Sequence, residues 1–219
     1  NVVVDNCTIR NSVNTGIYVN ASSPTLSSIT IGGMTYGIYV ASGSPTVAGC
    51  TVTGCGSSGI YIPSTASGTY RNNTLTGNNV GIEAAYAANS PVFTGNAYSG
   101  NTNGDLVVSG NITGAVTWDS QMDTQMRLST LTVAAGGSLT ITPGRTIRIT
   151  NNGGLTVNGT LTASGTTFTW ADGTNRWGGI LFLGSGASGS RLDNCVLENA
   201  VGYVYSYRQG VLNIEGGAN

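Results

Sequence analysis

Gly16-Ile17-Tyr18-Val19 is written again as Gly37-Ile38-Tyr39-Val40 and once more as Gly59-Ile60-Tyr61-Ile62. The text then decays to Gly81-Ile82-Glu83-Ala84 and Gly104-Asp105-Leu106-Val107, so successive copies fall 21, 22, 22 and 23 residues apart. Two further markers keep the same beat. Ser23-Pro-Thr25 and Ser44-Pro-Thr46 return as Ser90-Pro-Val92, and Cys7-Thr-Ile9 is followed by Ile29-Thr-Ile31, Cys50-Thr-Val52, Asn73-Thr-Leu75 and Asn96-Ala-Tyr98. Each period therefore holds three short segments in which apolar residues alternate with polar ones, the signature of strands. Three strands of about four residues and tight turns fill one period, and such a unit cannot bury its apolar face alone. Stacking solves this: equivalent strands pair in parallel about 4.8 Å apart. Ile17, Ile38, Ile60 and Ile82 then form one inward column. A leucine-rich repeat of similar length would carry Leu at fixed spacing and an Asn ladder within one consensus, and neither is read here.

The rest of the chain repeats the pattern in other words. Leu131-Thr-Val133, Leu139-Thr-Ile141, Ile147-Arg-Ile149, Leu155-Thr-Val157, Leu161-Thr-Ala163, Phe168-Thr-Trp170 and Ile180-Leu-Phe182 place apolar residues inward and Thr, Arg or Leu outward. The expected register sets Val133 beside Val157, Val157 beside Ile180 and Ile141 beside Ala163. Residues 111–128, with Trp118, Asp119, Met122, Asp123 and Met126, break the pattern. The reading is a first stack over 1–110, a junction or internal cap over 111–128 and a second stack over 129–219.

The first half resembles the coils of right-handed parallel β-helix proteins of the pectate-lyase-like superfamily. The second half, in LTVAAGGSLTITPGRTIRI, GGLTVNGTLTASGTTFTW and RWGGILFLGSGASGSRLDNCVLENA, is similar to modules of large secreted or surface bacterial and archaeal β-helix proteins. The resemblance implies an all-β, right-handed parallel β-helix, an extracellular or cell-surface location, and either a structural or a carbohydrate-active role. The fold alone does not choose between these, because one scaffold hosts lyases, hydrolases, adhesins and structural proteins.

Composition narrows the choice. Charged residues make up only 8 % of the chain against a globular norm of about 25 %, and the formal net charge is −1. No basic patch is available to bind nucleic acid through its phosphates. No run approaches the ~20 consecutive apolar residues of a membrane-spanning helix. Lacking His, the chain has no base for a Ser-His or Cys-His nucleophile and no zinc-finger pattern. The nine acids are Asp5, Glu83, Asp105, Asp119, Asp123, Asp172, Asp193, Glu198 and Glu215. The resemblance to pectate lyases implies clustered Asp and Glu holding calcium, and a hydrolase of this scaffold needs carboxylates converging within ~5 to 9.5 Å. No two acids fall in one column of neighbouring coils, so no catalytic residue, metal ligand or cofactor is assigned. Cys7, Cys50 and Cys195 are expected inward as small core residues, and no Cys50–Cys55 disulfide is expected.

What remains is surface. Tyr18, Tyr39 and Tyr61 occupy the outward place of the GIYV strand in three successive coils, and Tyr203, Tyr205 and Tyr207 alternate along one strand. Either row fixes strand register by self-stacking or offers an aromatic strip to a sugar or a neighbouring chain. Thr8, Thr30, Thr51 and Thr74 form an outward column beside Thr53 and Thr76, an arrangement that ice-binding surfaces use, but Arg10 and Gly32 interrupt the second rank. Finally, Gly210–Asn219 read into Asn1–Ser12 as one continuous coil. The expectation is a non-enzymatic extracellular unit of a long or tandem array. Its partner would be itself, end to end, through Val2, Val3 and Val4 at one end and Val211, Leu212 and Ile214 at the other. A polysaccharide is the alternative partner.

Overall fold

The computed structural model describes residues 1–88, 90–124, 126–202 and 210–218. They form two compact units, Asn1–Val107 with Gln121–Gln125, and Val108–Ser120 with Met126–Asn219. Both are parallel β-solenoids with three strands to the coil, and the described residues hold no α-helix, only a single 3-10 turn at Ser185–Ala187.

In the first unit, sheet A stacks Val3–Asp5, Thr25–Ser27, Thr46–Ala48, Thr69–Arg71 and Val92–Thr94. Sheet B stacks Thr8–Arg10, Thr30–Gly32, Thr51–Thr53, Thr74–Thr76 and Ala97–Ser99. Sheet C contains Thr15–Val19, Tyr36–Val40, Ser58–Ile62 and Val80–Tyr86. The expected column is present: Ile17 pairs with Ile38, Ile38 with Ile60 and Ile60 with Ile82. The last three of these are fully buried. Each such side chain contributes about 1.5–3 kcal/mol relative to exposure, so the column is a main source of cohesion.

Two sharp corners in each coil explain much of the Gly and Asn content. Between sheets A and B the chain turns on one residue with positive φ: Asn6 (51°), Ser28 (53°), Gly49 (64°), Asn72 (54°) and Gly95 (65°). After sheet B it turns again on Asn11, Gly33, Gly54, Gly77 and Gly100. Only Gly, Asn and other short polar residues adopt this conformation cheaply. The corner amides also donate to the following coil, as Asn6 N to Ser27 O at 3.1 Å and Gly49 N to Arg71 O at 3.1 Å.

The Gly of each GIYV has another cause. A Cβ on Gly37 would stand 2.5 Å from Gly59 O and 2.3 Å from Val52 Cγ1, and one on Gly81 would stand 2.4 Å from Asp105 O. This column is glycine because the coils approach too closely for a side chain.

The second unit is less regular. Sheet D stacks Ala115–Trp118, Ser138–Ile141, Thr160–Ser164 and Arg191–Asp193. The long strands Met126–Val133 and Thr146–Val157 each run round two consecutive sides of the coil. Their first parts align with Thr167–Trp170 and then Val196–Leu197, and their second parts with Ile180–Leu183 and then Leu212–Glu215. Residues 111–128, expected to interrupt the repeat, include the strand Ala115–Trp118, paired in register with Ser138–Ile141.

Val133 pairs with Val157 and Ile141 with Ala163, as expected. The expected partnership of Val157 with Ile180 is corrected: Leu155 pairs with Ile180 and Val157 with Phe182. The shift is two residues, which preserves the inward face. Leu181, expected outward, is 3 % exposed, so this strand is covered on both faces.

Candidate functional site

Register places Tyr18 beside Tyr39, Tyr39 beside Tyr61 and Tyr61 beside Glu83 on the outer face of sheet C. Ring centroids lie 5.5 Å apart for Tyr18–Tyr39 and 4.9 Å for Tyr39–Tyr61. A fourth ring, Tyr36, joins them, 5.3 Å from Tyr39 in an edge arrangement and 5.5 Å from Tyr61. Strict alternation conceals Tyr36, because residues three apart on a strand should face opposite ways. Gly37 and Ile38 are both buried, however, and this break in alternation returns Tyr36 to the outer face. The signal was available in the sequence: a glycine directly before an inward Ile.

The cluster is graded along the stack. Tyr18 is 62 % exposed, and Tyr36, Tyr39 and Tyr61 are half-buried against one another. Partial burial, then the negative charge of Glu83, pushes the Tyr61 hydroxyl above its ordinary pKa. Glu83 is itself engaged, accepting from Ser58 Oγ at 2.7 Å. The result is a neutral aromatic strip ended by a carboxylate. Tyr203, Tyr205 and Tyr207 lie outside the described residues.

The carboxylates are distributed among internal tasks. Two short asparagine ladders, not anticipated from the sequence, run inside the first unit. Asn73 Oδ1 accepts from Cys50 N at 2.9 Å, while its Nδ2 donates to Val47 O and Asn96 Oδ1. Asn96 Nδ2 donates to Tyr70 O and to Asp123 Oδ2, the latter at 2.8 Å. Asp123 therefore ends this ladder as a carboxylate in the place of a further amide, and it accepts from Tyr98 Oη at 2.7 Å as well. The second ladder runs from Cys55 N through Asn78 and Asn101 to Asp105. Burial, then Asp123, pushes the Tyr98 hydroxyl far up, so Tyr98 stays a donor. The ladders escape a consensus search because the same columns hold Cys50 and Cys55 one coil earlier.

Elsewhere Asp172 accepts from Asn175 N and Thr174 N, and these bonds, with Asn175 Nδ2, hold it well below the usual carboxylate range. Asp193 lies 3.5 Å from Arg191. Among the described residues no three of Cys, Asp and Glu gather as a metal-binding group. All four cysteines are free thiols. Cys50 and Cys55 are buried and Cys195 is half-buried, but Cys7, expected inward, is exposed because its strand is the outermost described coil. The Thr column exists as expected: Thr8, Thr30, Thr51 and Thr74 are in register, and the second rank runs Arg10, Gly32, Thr53 and Thr76.

The coil ends form the other distinctive surface. Among the described residues, Val3–Asp5 and Thr8–Arg10 pair on one side only, as do Arg191–Asp193, Val196–Leu197 and Leu212–Glu215. Val2 is 67 % exposed and Val3 64 %, with Val4 half-buried; at the other end Leu212 is 44 % and Ile214 67 % exposed, with Val211 half-buried. Leu212 and Ile214 line a depression of about 250 Å³ together with Phe182, Leu192, Ala187 and Ala218.

A family model described as the right-handed β-helix region matches residues 1–117, more than half of the chain. The protein belongs to the right-handed parallel β-helix family. No curated protein and no solved structure matches it.

Proposed function

We propose that the chain is a non-enzymatic, extracellular structural unit of a long or tandem-repeat surface protein or fibre, in which β-helix coils continue from one unit to the next. The observation that carries this reading is the in-register parallel stacking of three-stranded coils through both units, with exposed core-type side chains at Val2, Val3, Leu212 and Ile214 among the described residues. A stack of repeats can be continued by a further repeat, and burying those side chains adds a hydrophobic contribution of about 25 cal/mol per Å². The carboxylates support it too, since Glu83, Asp105, Asp123, Asp172 and Asp193 are already bound to neighbours within the chain. Electron microscopy of the purified protein across a range of concentrations tests the reading. Filaments or end-to-end oligomers are expected. Isolated particles at every concentration would contradict it.

A second reading, carbohydrate binding, is favoured by the outward cluster Tyr18, Tyr36, Tyr39 and Tyr61. Aromatic faces of this kind suit the apolar faces of sugar rings. Replacing Tyr39 and Tyr61 by Ser should abolish retention on immobilised polysaccharides if the strip binds them. Unchanged retention, or none by the unaltered chain, removes this reading.

A further inference from the structure

The tyrosine cluster on sheet C has one charge beside it. The strands Thr15–Val19, Tyr36–Val40, Ser58–Ile62 and Val80–Tyr86 contain Glu83 as their one charged residue. Arg10 and Arg71, the two arginines of the first unit, lie in sheets B and A. A carboxylate therefore stands in register with Tyr61, and none of these four strands supplies a cation to balance it.

This carboxylate is anchored. Ser58 is fully buried, pairs with Tyr36 on one side and Val80 on the other, and donates from Oγ to Glu83 Oε2 at 2.7 Å. The bond crosses from one coil to the next and holds Glu83 against the ring cluster, while Oε1 accepts from no described residue. The phenols are uncommitted as well. None of the hydroxyls of Tyr18, Tyr36, Tyr39 and Tyr61 bonds to a described residue. Alignment of coils by ring stacking requires neither feature, since aromatic cross-strand pairs act through their rings.

Chemistry narrows the occupant. Ring faces next to a carboxylate attract a cation, because the aromatic quadrupole and the full negative charge act in the same direction. An acidic polymer would set like charge against Glu83, with no Arg in these strands to offset it. A neutral sugar would stack on the rings and leave the charge of Glu83 unused. Spacing then separates a cationic sugar chain from a basic peptide. The rings step 5.5 and 4.9 Å along the stack, close to the length of one sugar unit, whereas like-facing side chains of an extended peptide recur at about 6.6 Å.

Resting on the carbohydrate-binding reading above, we propose that the outer face of sheet C in the first unit binds a polysaccharide of amino sugars whose amines are free. The sugar rings lie along Tyr18, Tyr39 and Tyr61, and an ammonium group donates to Glu83 Oε1.

Calorimetric titration of the full chain tests this in mildly acidic buffer, which protonates sugar amines. The probes are soluble hexamers of glucosamine, N-acetylglucosamine and galacturonate, with hexalysine as the peptide cation. Acetylation keeps the ring and removes the charge, so the glucosamine hexamer should bind about tenfold more tightly than its acetylated counterpart. Galacturonate should bind most weakly. Glu83→Gln keeps an amide oxygen to accept from Ser58 Oγ, so thermal unfolding should be unchanged. The same variant should shrink the preference for the free amine to within about twofold, with the acetylated hexamer unaffected. Added salt should weaken the glucosamine hexamer selectively. Equal binding of the two hexamers, or a preference that survives Glu83→Gln, overturns this proposal while carbohydrate binding stands. Hexalysine binding as tightly as the glucosamine hexamer, and lost in Glu83→Gln, overturns the sugar class in favour of a basic polypeptide. Binding of none of the sugars overturns both the proposal and the reading on which it rests.

Discussion

The two units solve one stacking problem with different materials. The first uses three- to seven-residue strands, single-residue corners and a glycine column that brings backbones together, then locks its interior with amides. The second uses longer strands and large side chains: Trp118, Trp177 and Phe168 are fully buried, and Trp177 Nε1 donates to Glu198 O at 2.8 Å. Both units pack large side chains and both have glycines where coils approach closely, Gly137, Gly153 and Gly159 in the second; what sets the first apart is its polar ladders, and what sets the second apart is its buried tryptophans. That contrast matches the reach of the family model, which ends at residue 117. A consensus of small residues at fixed places is readable from sequence, whereas a core filled by whatever shape fits is not.

The largest expected effect breaks the second unit at its volume. Phe168→Ala should cost about 3–5 kcal/mol, because the cavity adds to the lost transfer energy. All three tryptophans, Trp118, Trp170 and Trp177, belong to this unit, so denaturant unfolding followed by tryptophan fluorescence reports it. Next is close approach in the first unit. Gly37→Ala should cost about 3 kcal/mol, since the new methyl meets both Gly59 O and Val52 Cγ1 and the backbone must move. Amide hydrogen exchange should show the loss in sheet C.

Asn73→Ala comes third, at about 2 kcal/mol, by leaving the buried Cys50 N–H and Val47 carbonyl without that partner. A fourth outcome concerns alkaline pH. Burial raises the pKa of Cys50, Cys55, Tyr70 and Tyr98, so the folded state holds these protons more tightly than the unfolded chain does. Their stabilising contribution is complete below the ordinary thiol and phenol values of 9.0 and 10.0 and declines as pH rises past them. Hydrogen exchange should therefore accelerate first in the first unit, since every described tyrosine lies there. The smallest effect is Gly49→Asn, within about 0.5 kcal/mol. This corner has open space around it, and Asn6 and Asn72 already take the same φ in its column.

Much of the fold was legible because a solenoid writes each contact twice. Ile17, Ile38 and Ile60 announce their column by recurring, and so do Tyr18, Tyr39 and Tyr61. What did not recur was not legible. Tyr36 joins the aromatic strip through a local break in alternation, and Asp123 reaches the Asn73–Asn96 ladder from a segment with no repeat text. The register of Ile180 slipped by two residues because its coil, from Leu155 to Ile180, is 25 residues long, and alternation fixes the face of a strand but not the length of a coil. The low charge also acquires a cause: in register, a charged residue would stand beside its own copy in the next coil, where like charges destabilise.

Continuity of coils across copies is the claim on which the functional account rests. Cryo-electron microscopy of concentrated protein, at a resolution that separates strands, addresses it directly. The account predicts filaments in which strands follow one another at about 4.8 Å with no gap from one copy to the next. Filaments whose copies meet through their sides, or particles that never meet at all, would contradict it.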